Sequence, residues 1–150
     1  MQQFDRDLML LLHDVARLLR TRFDQRARAT GMTRAQWVIL ARLSAKPGLS
    51  QIEMASLLEV EPISVGRLVD RLEARGLVER RPDPSDRRVW RLHLTPSAQP
   101  ILDQISKARD VLGEELFDGV NPASRTTMVD ALLRMKNNLT AETPPMAVGE

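Results

Sequence analysis

The apolar positions of this chain recur mostly at helical spacing. From residue 5 to residue 29 they return every third or fourth position, which is the period of one helix face. They are Leu8, Leu11, Leu12, Val15, Leu18, Leu19 and Phe23. Five later segments open with residues that favour a helix start, at Thr33, Ser50, Pro62, Thr95-Pro96 and Asn121-Pro122. The pattern therefore predicts six helices.

Two short stretches alternate with period two instead, which is typical of strands. They are residues 77–81 and 89–94, and in the second stretch Trp90, Leu92 and Leu94 share one face. The polar, Pro-rich residues 82–88 lie between the two stretches. The chain is therefore predicted to be mainly α, with one small β-hairpin.

The segment from Ser50 to Thr95 carries the clearest boundary signals. Ser50 and Glu53 have the spacing of a capping box, Pro62 suits a first helical position, and Gly76 suits a helix end. A short helix, a tight turn, a longer helix and a hairpin with arginines at its tip follow in that order. This order is that of a winged helix-turn-helix.

The longer helix and the hairpin tip suggest contact with DNA. The helix has one apolar face and exposes arginines elsewhere, as a recognition helix in a major groove does. The arginines of the tip suit the narrow minor groove, and Asp86 is placed to orient Arg88. The predicted DNA contacts are Ser50, Pro62, Ile63, Ser64, Arg67, Arg71, Asp86, Arg87, Arg88 and Arg91. An ordinary amphipathic helix and a solvated charged loop are the alternatives.

Two motifs resemble the MarR/SlyA family of winged helix-turn-helix transcriptional regulators. The first is Asp83-Pro84-Ser85-Asp86-Arg87-Arg88, with Leu94-Thr95 after it, and the second is the run VDRLEARGLVER at residues 69–80. The resemblance implies a dimeric regulator that binds DNA and responds to small molecules, often aromatic acids. It implies a ligand site between the dimer layer and the winged domain, for which His13, Arg17 and Trp37 are the candidates.

The apolar stripes of the terminal helices suggest that these helices form a separate layer. The expected organisation is a dimerisation region at residues 1–31 and 96–140, a winged domain at residues 32–95 and a disordered tail at residues 141–150. A twofold dimer can place two recognition helices about 34 Å apart, so a pseudo-palindromic double-stranded DNA operator is expected. A repressor released by its ligand is predicted, although the sequence leaves activation open.

Composition narrows the possible functions. The chain lacks cysteine, which excludes disulfides and thiol redox sensing. Residues 1–94 hold 17 basic and 12 acidic side chains, a net charge of +5, whereas residues 95–150 hold 5 and 8, a net charge of −3. No apolar run is long enough for a membrane helix, and no signal peptide is evident. A cytoplasmic protein without membrane association is therefore expected.

Catalytic and metal-binding motifs are not found in the sequence. It has no Gly-rich phosphate loop and no Ser–His–Asp pattern, and its two histidines, His13 and His93, lack ligand-spaced neighbours. We therefore expect neither an enzyme nor a bound cofactor or metal. A winged-helix module for architecture or protein interaction, without DNA sequence preference, is the alternative function.

Overall fold

The computed structural model describes residues 6–141, a stretch that contains six α-helices and one two-stranded sheet. The elements are α1 (Leu8–Ala29), α2 (Arg34–Ala45), α3 (Gln51–Leu58), α4 (Pro62–Ala74), β1 (Val78–Pro82), β2 (Trp90–Leu94), α5 (Gln99–Leu116) and α6 (Pro122–Thr140). The mainly α class with a small hairpin is thereby confirmed.

The chain divides into two compact units, and the boundary lies between Leu112 and Gly113. The first contains α1 to α4, the hairpin and most of α5, and the second contains the end of α5 and all of α6. The predicted division into a dimerisation region and a winged domain remains a prediction. Of the predicted tail, residues 142–150 lie outside the described residues.

Most helices begin at the side chains that the sequence indicated. Thr33 and Ser50 each form a complete capping box, with Gln36 and Glu53 as their partners. Asn121 accepts a hydrogen bond from the amide of Ser124. Thr95 differs, because its hydroxyl donates to the carbonyl of Gly76 instead of capping a helix. The chain enters α5 through a short 3₁₀ turn, Pro96–Ala98.

The junction between α4 and β1 fixes where the hairpin starts. Gly76 has a left-handed φ of 70°, and its amide donates to the carbonyl of Glu73 at 2.8 Å. The amide of Leu77 donates to the carbonyl of Leu72 at 3.0 Å, which completes a Schellman motif. The strands then pair antiparallel from Val78 opposite Leu94 to Pro82 opposite Trp90.

Each strand begins one residue later than predicted, β1 at Val78 and β2 at Trp90. Pro82, expected in the loop, is the last residue of β1, where a proline is tolerated because β1 is an edge strand of a two-stranded sheet. Trp90, which was expected to share one face with Leu92 and Leu94, is 47% exposed at the loop end of the hairpin, whereas Leu92 is fully buried.

One hydrophobic core lies beneath the helix-turn-helix and the hairpin. Its largest fully buried side chains are Ile39, Leu40, Leu43, Met54, Leu72, Leu92, Val65 and Val69. The predicted apolar face of α4 packs on this core, with Leu68 half-buried at its edge. On another side of α4, Ser64, Arg67 and Arg71 are exposed.

Both ends of the described chain carry exposed apolar side chains. On α1 they are Leu8, Met9, Leu10, Leu11, Leu12, Val15 and Leu18; on α6 they are Met128, Val129, Leu132, Leu133 and Leu139. Apolar surface that recurs along a helix favours burial against another element or another chain. Within residues 6–141 no helix combines the length and the apolar character that crossing a membrane requires.

Candidate nucleic-acid interface

The candidate interface begins with α3, a three-residue turn and α4. Glu59 turns the chain with a left-handed φ of 55°, and Pro62 then occupies the first turn of α4. Ile63 follows and is 66% exposed. The start of α4 therefore projects from the core with its side chains accessible.

Three side chains of α4 form what we call the reading face: Ser64, Arg67 and Arg71. They recur at intervals of three and four, so they lie on one side of the helix, and all three are exposed. Within the described part of the chain, neither arginine of this face forms an ion pair. Both guanidinium groups thus keep their donors for a partner molecule.

The hairpin loop, or wing, is held in shape by one carboxylate, that of Asp83. Its Oδ1 accepts from the amide and the hydroxyl of Ser85, at 2.8 and 2.7 Å, and from the amide of Asp86, at 3.0 Å. Its Oδ2 accepts from Nε of Arg91, also at 2.7 Å. The bond from Arg91 and those from Ser85 lower the pKa of Asp83 well below its ordinary value.

The wing tip presents two arginines. Arg87 is exposed, and the Arg88 side chain is 92% exposed. Asp86 Oδ1 accepts from the Arg88 amide at 3.0 Å and from its Nε at 3.3 Å. The contact expected between Asp86 and Arg88 is therefore present, and it leaves the outer guanidinium nitrogens of Arg88 accessible.

Arg91, a predicted DNA contact, is engaged within the protein. Besides Asp83 it donates through Nη1 to the carbonyl of Gly48 at 3.1 Å, and the Glu53 carboxylate is 3.6 Å away. The bond to Asp83 raises the pKa of Arg91. Arg91 thus links the wing to the segment before α3, and a phosphate contact would depend on its remaining donor, Nη2.

Ser50 is buried at the start of α3. Its hydroxyl accepts from the amide of Glu53 at 3.1 Å, and its own amide donates to the Glu53 carboxylate at 2.8 Å. The latter bond is the main reason that the pKa of Glu53 is lowered. A phosphate at this helix start would therefore meet the free amides of the first turn beside a carboxylate.

A separate open cavity of about 460 Å³ lies against Trp37. Its lining residues come from the end of α1, from α2 and from α5; they include Arg26, Thr30, Ile101, Lys107 and Val111. The Trp37 ring is buried, and its Nε1 donates to the Thr30 hydroxyl at 3.2 Å. The cavity combines an aromatic wall, apolar surface and two cationic side chains.

The structure does not bring the three predicted ligand residues together within one chain. Arg17 pairs with Asp14 at 3.5 Å on an exposed part of α1, and His13 lies one turn earlier. Arg17 precedes the first α1 residue of the cavity by nine positions, about 13 Å along a helix. Their role as ligand contacts stays a prediction, whereas Trp37 does line a cavity.

Two features, one in the wing and one at the Trp37 cavity, were missed in the sequence. The Asp83-Pro84-Ser85 run has the pattern of a turn in which Asp caps the following amides, so it could have been recognised. The cationic side chain of Lys107 near Trp37 could not have been recognised, because Lys107 is far from Trp37 in the sequence and only the fold brings the two close.

Comparison with known proteins now identifies the domain that carries this surface. Residues 32–90 match the model of the MarR family. The chain carries a MarR-family domain. The resemblance to the MarR/SlyA regulators is thereby confirmed, and the matched region contains α2, α3, α4 and the wing.

Solved structures of MarR-family regulators share the fold of this chain over most of its length. A MarR-family transcriptional regulator from Silicibacter pomeroyi is 27% identical, with a TM-score of 0.78 over 90% of this chain and 91% of that one. Wild-type MarR from E. coli is 25% identical, with a TM-score of 0.76 over 86% and 96%. The transcriptional regulator SlyA, at 24% identity, shares the fold with a TM-score of 0.77 over 89% and 94%. The fold is that of MarR-family transcriptional regulators, which supports a DNA-binding regulator.

Proposed function

We propose that this protein is a homodimeric, sequence-specific transcriptional repressor that binds a pseudo-palindromic operator and is released by a small aromatic acid. The observation that carries the proposal is the exposed reading face of α4, whose two arginines form no ion pair within residues 6–141. An arginine with free donors can bond two acceptors of guanine, which contributes about 1–3 kcal/mol of discrimination.

The remaining contacts divide into reading and positioning contacts. Arg67 is the proposed base contact in the major groove, with Pro62, Ile63, Ser64 and Arg71 meeting neighbouring bases and phosphates. Arg88 would enter the minor groove with its guanidinium oriented by Asp86, and Arg87 would support it. Arg91 and the amides near Ser50 would touch phosphate, which fixes register without reading sequence.

The dimer is supported by apolar surface that the single chain leaves exposed. On the N-terminal half of α1, Leu8, Leu11 and Leu18 are 55%, 42% and 54% exposed. On α6, Val129 and Leu133 are 44% and 53% exposed. Obligate homodimers bury such surface across more than about 2,000 Å². We infer that the terminal helices of two chains cover one another.

Selection of bound duplexes from a random DNA pool tests the proposed function. We expect enrichment of a twofold-symmetric sequence. With Arg67→Ala, we expect the base preference to disappear at one position of each half-site. Arg109→Ala is a matched control, since it removes one exposed arginine from α5. If no sequence is enriched, and the recovered duplexes bind with the same affinity and salt dependence as unselected DNA, the result would instead support a module without DNA sequence preference.

The cavity at Trp37 is the proposed site of the acid. Its ring and the apolar side chains of Ile101 and Val111 would hold a planar group, and Lys107 would pair with the carboxylate. A ligand releases DNA only if it binds better to a conformation that does not fit the operator.

Tryptophan fluorescence can follow ligand binding at this cavity. In a Trp90→Phe background Trp37 is the only indole in the chain, and titration with benzoate and related aromatic acids should change its emission and release operator. Lys107→Ala should weaken the effect, and Lys136→Ala on α6 should not. Indifference of emission and operator binding to the whole panel would contradict the ligand proposal.

A further inference from the structure

A half-buried arginine on β1, Arg80, is bonded to two other elements at once. Its Nε donates to the side-chain oxygen of Gln51 on α3 at 3.2 Å, and its Nη2 donates to the backbone carbonyl of Gly66 on α4 at 3.0 Å. Its Nη1 pairs with Asp70 at 2.8 Å and with Glu73. Only 19% of the Arg80 side chain is exposed. Arg80 therefore ties β1 to both helices of the helix-turn-helix.

The partners of Arg80 on α4 define what we call the clamp face: Gly66, Asp70 and Glu73. At 100° per residue, the mean direction of this face is about 120° from the side that packs on the core and about 120° from the reading face. The three positions span two turns of the helix, and none belongs to the proposed DNA contacts. Arg80 thus holds α4 from a side that faces neither the core nor the DNA.

Gly66 allows this contact to be close. A Cβ at this position would lie 3.1 Å from Nε2 of Gln51, so a larger residue would push Gln51 away from Arg80. The Arg80 bond to the Gly66 carbonyl is also a bond to the backbone. A backbone bond constrains rotation of α4 about its own axis, whereas apolar burial is non-directional.

We propose that Arg80 is a positioning residue that sets the rotation of α4 and thereby the sequence preference of the protein. This inference rests on the proposed function, because it requires that α4 reads bases. A rotation of about 10° moves a side-chain end, about 6 Å from the helix axis, by about 1 Å. That displacement exceeds the spread of good hydrogen-bond lengths, so base contacts are lost. Phosphate contacts depend mainly on charge, so they tolerate a displacement of this size.

Arg80→Lys tests the proposal, since it keeps the charge but cannot reproduce the planar set of donors. The readout is the ratio of affinities for the selected operator and for random DNA at matched salt. We expect the ratio to fall about tenfold, the loss of one good base contact, with random-DNA affinity within about twofold of wild type. The matched control is Arg81→Lys, because Arg81 pairs with Glu79 on its own strand and contacts none of the clamp face.

Each outcome decides the question. An unchanged ratio in Arg80→Lys, or an equal loss of both affinities, would overturn the positioning role. A wild-type protein without preference would overturn the proposed function as well. If thermal melting shows that Arg80→Lys is unfolded, Glu73→Ala, which removes the carboxylate that pairs with Arg80 at an exposed position, is measured in the same way. A smaller fall in the ratio supports the inference, and no fall overturns it.

Discussion

Shortening two leucines of α1 should break the proposed dimer without harming the fold. The double variant Leu11→Ala, Leu18→Ala removes about three methylene-sized groups per residue, each worth about 0.8 kcal/mol when buried. In the single chain Leu11 and Leu18 are 42% and 54% exposed, so a partner can bury about half of each. The loss is then about 1 kcal/mol per leucine.

A twofold dimer contains four such leucines, so the total loss is about 4 kcal/mol, or about three orders of magnitude in the dimer Kd. Sedimentation equilibrium over a wide concentration range measures this change directly. Alanine is at least as good a helix former as leucine, so α1 itself should persist in far-UV circular dichroism.

The control for this experiment is Leu57→Ala on α3. Leu57 is 45% exposed, which matches the two α1 leucines, but it lies within the helix-turn-helix. Its replacement should leave the dimer Kd unchanged. A dimer through α1 is refuted if the α1 variant dimerises as tightly as wild type, or if Leu57→Ala weakens the dimer equally.

Three further variants test the wing and the turn. Arg88→Ala should weaken operator binding about tenfold with the dimer intact, because the side chain is 92% exposed; unchanged affinity in a gel-shift titration would contradict this. The lowered pKa of Asp83 means that its carboxylate stabilises the fold above its unfolded-state pKa of about 4, and that this contribution is lost as the pH falls below that value. Urea unfolding from pH 7 to pH 3 should thus show a flatter acid limb for Asp83→Asn, and an unaltered limb would exclude this role. Glu59→Gly should raise stability by up to about 1 kcal/mol, because the left-handed φ of 55° is strained for residues other than glycine; a lower urea midpoint would argue otherwise.

The predictable features of the fold are those fixed by neighbours in the sequence. The capping boxes at Thr33 and Ser50 and the helix end at Gly76 join residues only a few positions apart. The core face of α4 follows from periodicity alone, since burial of one side imposes a period of 3.6. For the same reason the contact between Asp86 and Arg88, two residues apart, could be expected from the sequence.

The contacts that escaped prediction join distant parts of the chain. Arg80 bonds to Gln51 across 29 positions, and Arg91 bonds to the carbonyl of Gly48 across 43. An arginine that the sequence pattern places on the surface can bind a partner molecule or bond to other residues of its own chain, and only the fold distinguishes these two roles. Arg91 was predicted to touch phosphate, yet its Nε and Nη1 already donate to Asp83 and to the carbonyl of Gly48.

The most direct test of the account is hydroxyl-radical footprinting of the protein on its selected operator, combined with the mass of the complex. Two chains that each present α4 to DNA predict two protected half-sites related by a twofold axis, with centres about 34 Å apart, and a mass of two chains per duplex. One unsymmetric protected region occupied by a single chain would contradict the proposed function, which depends on a dimer that presents two α4 helices to DNA.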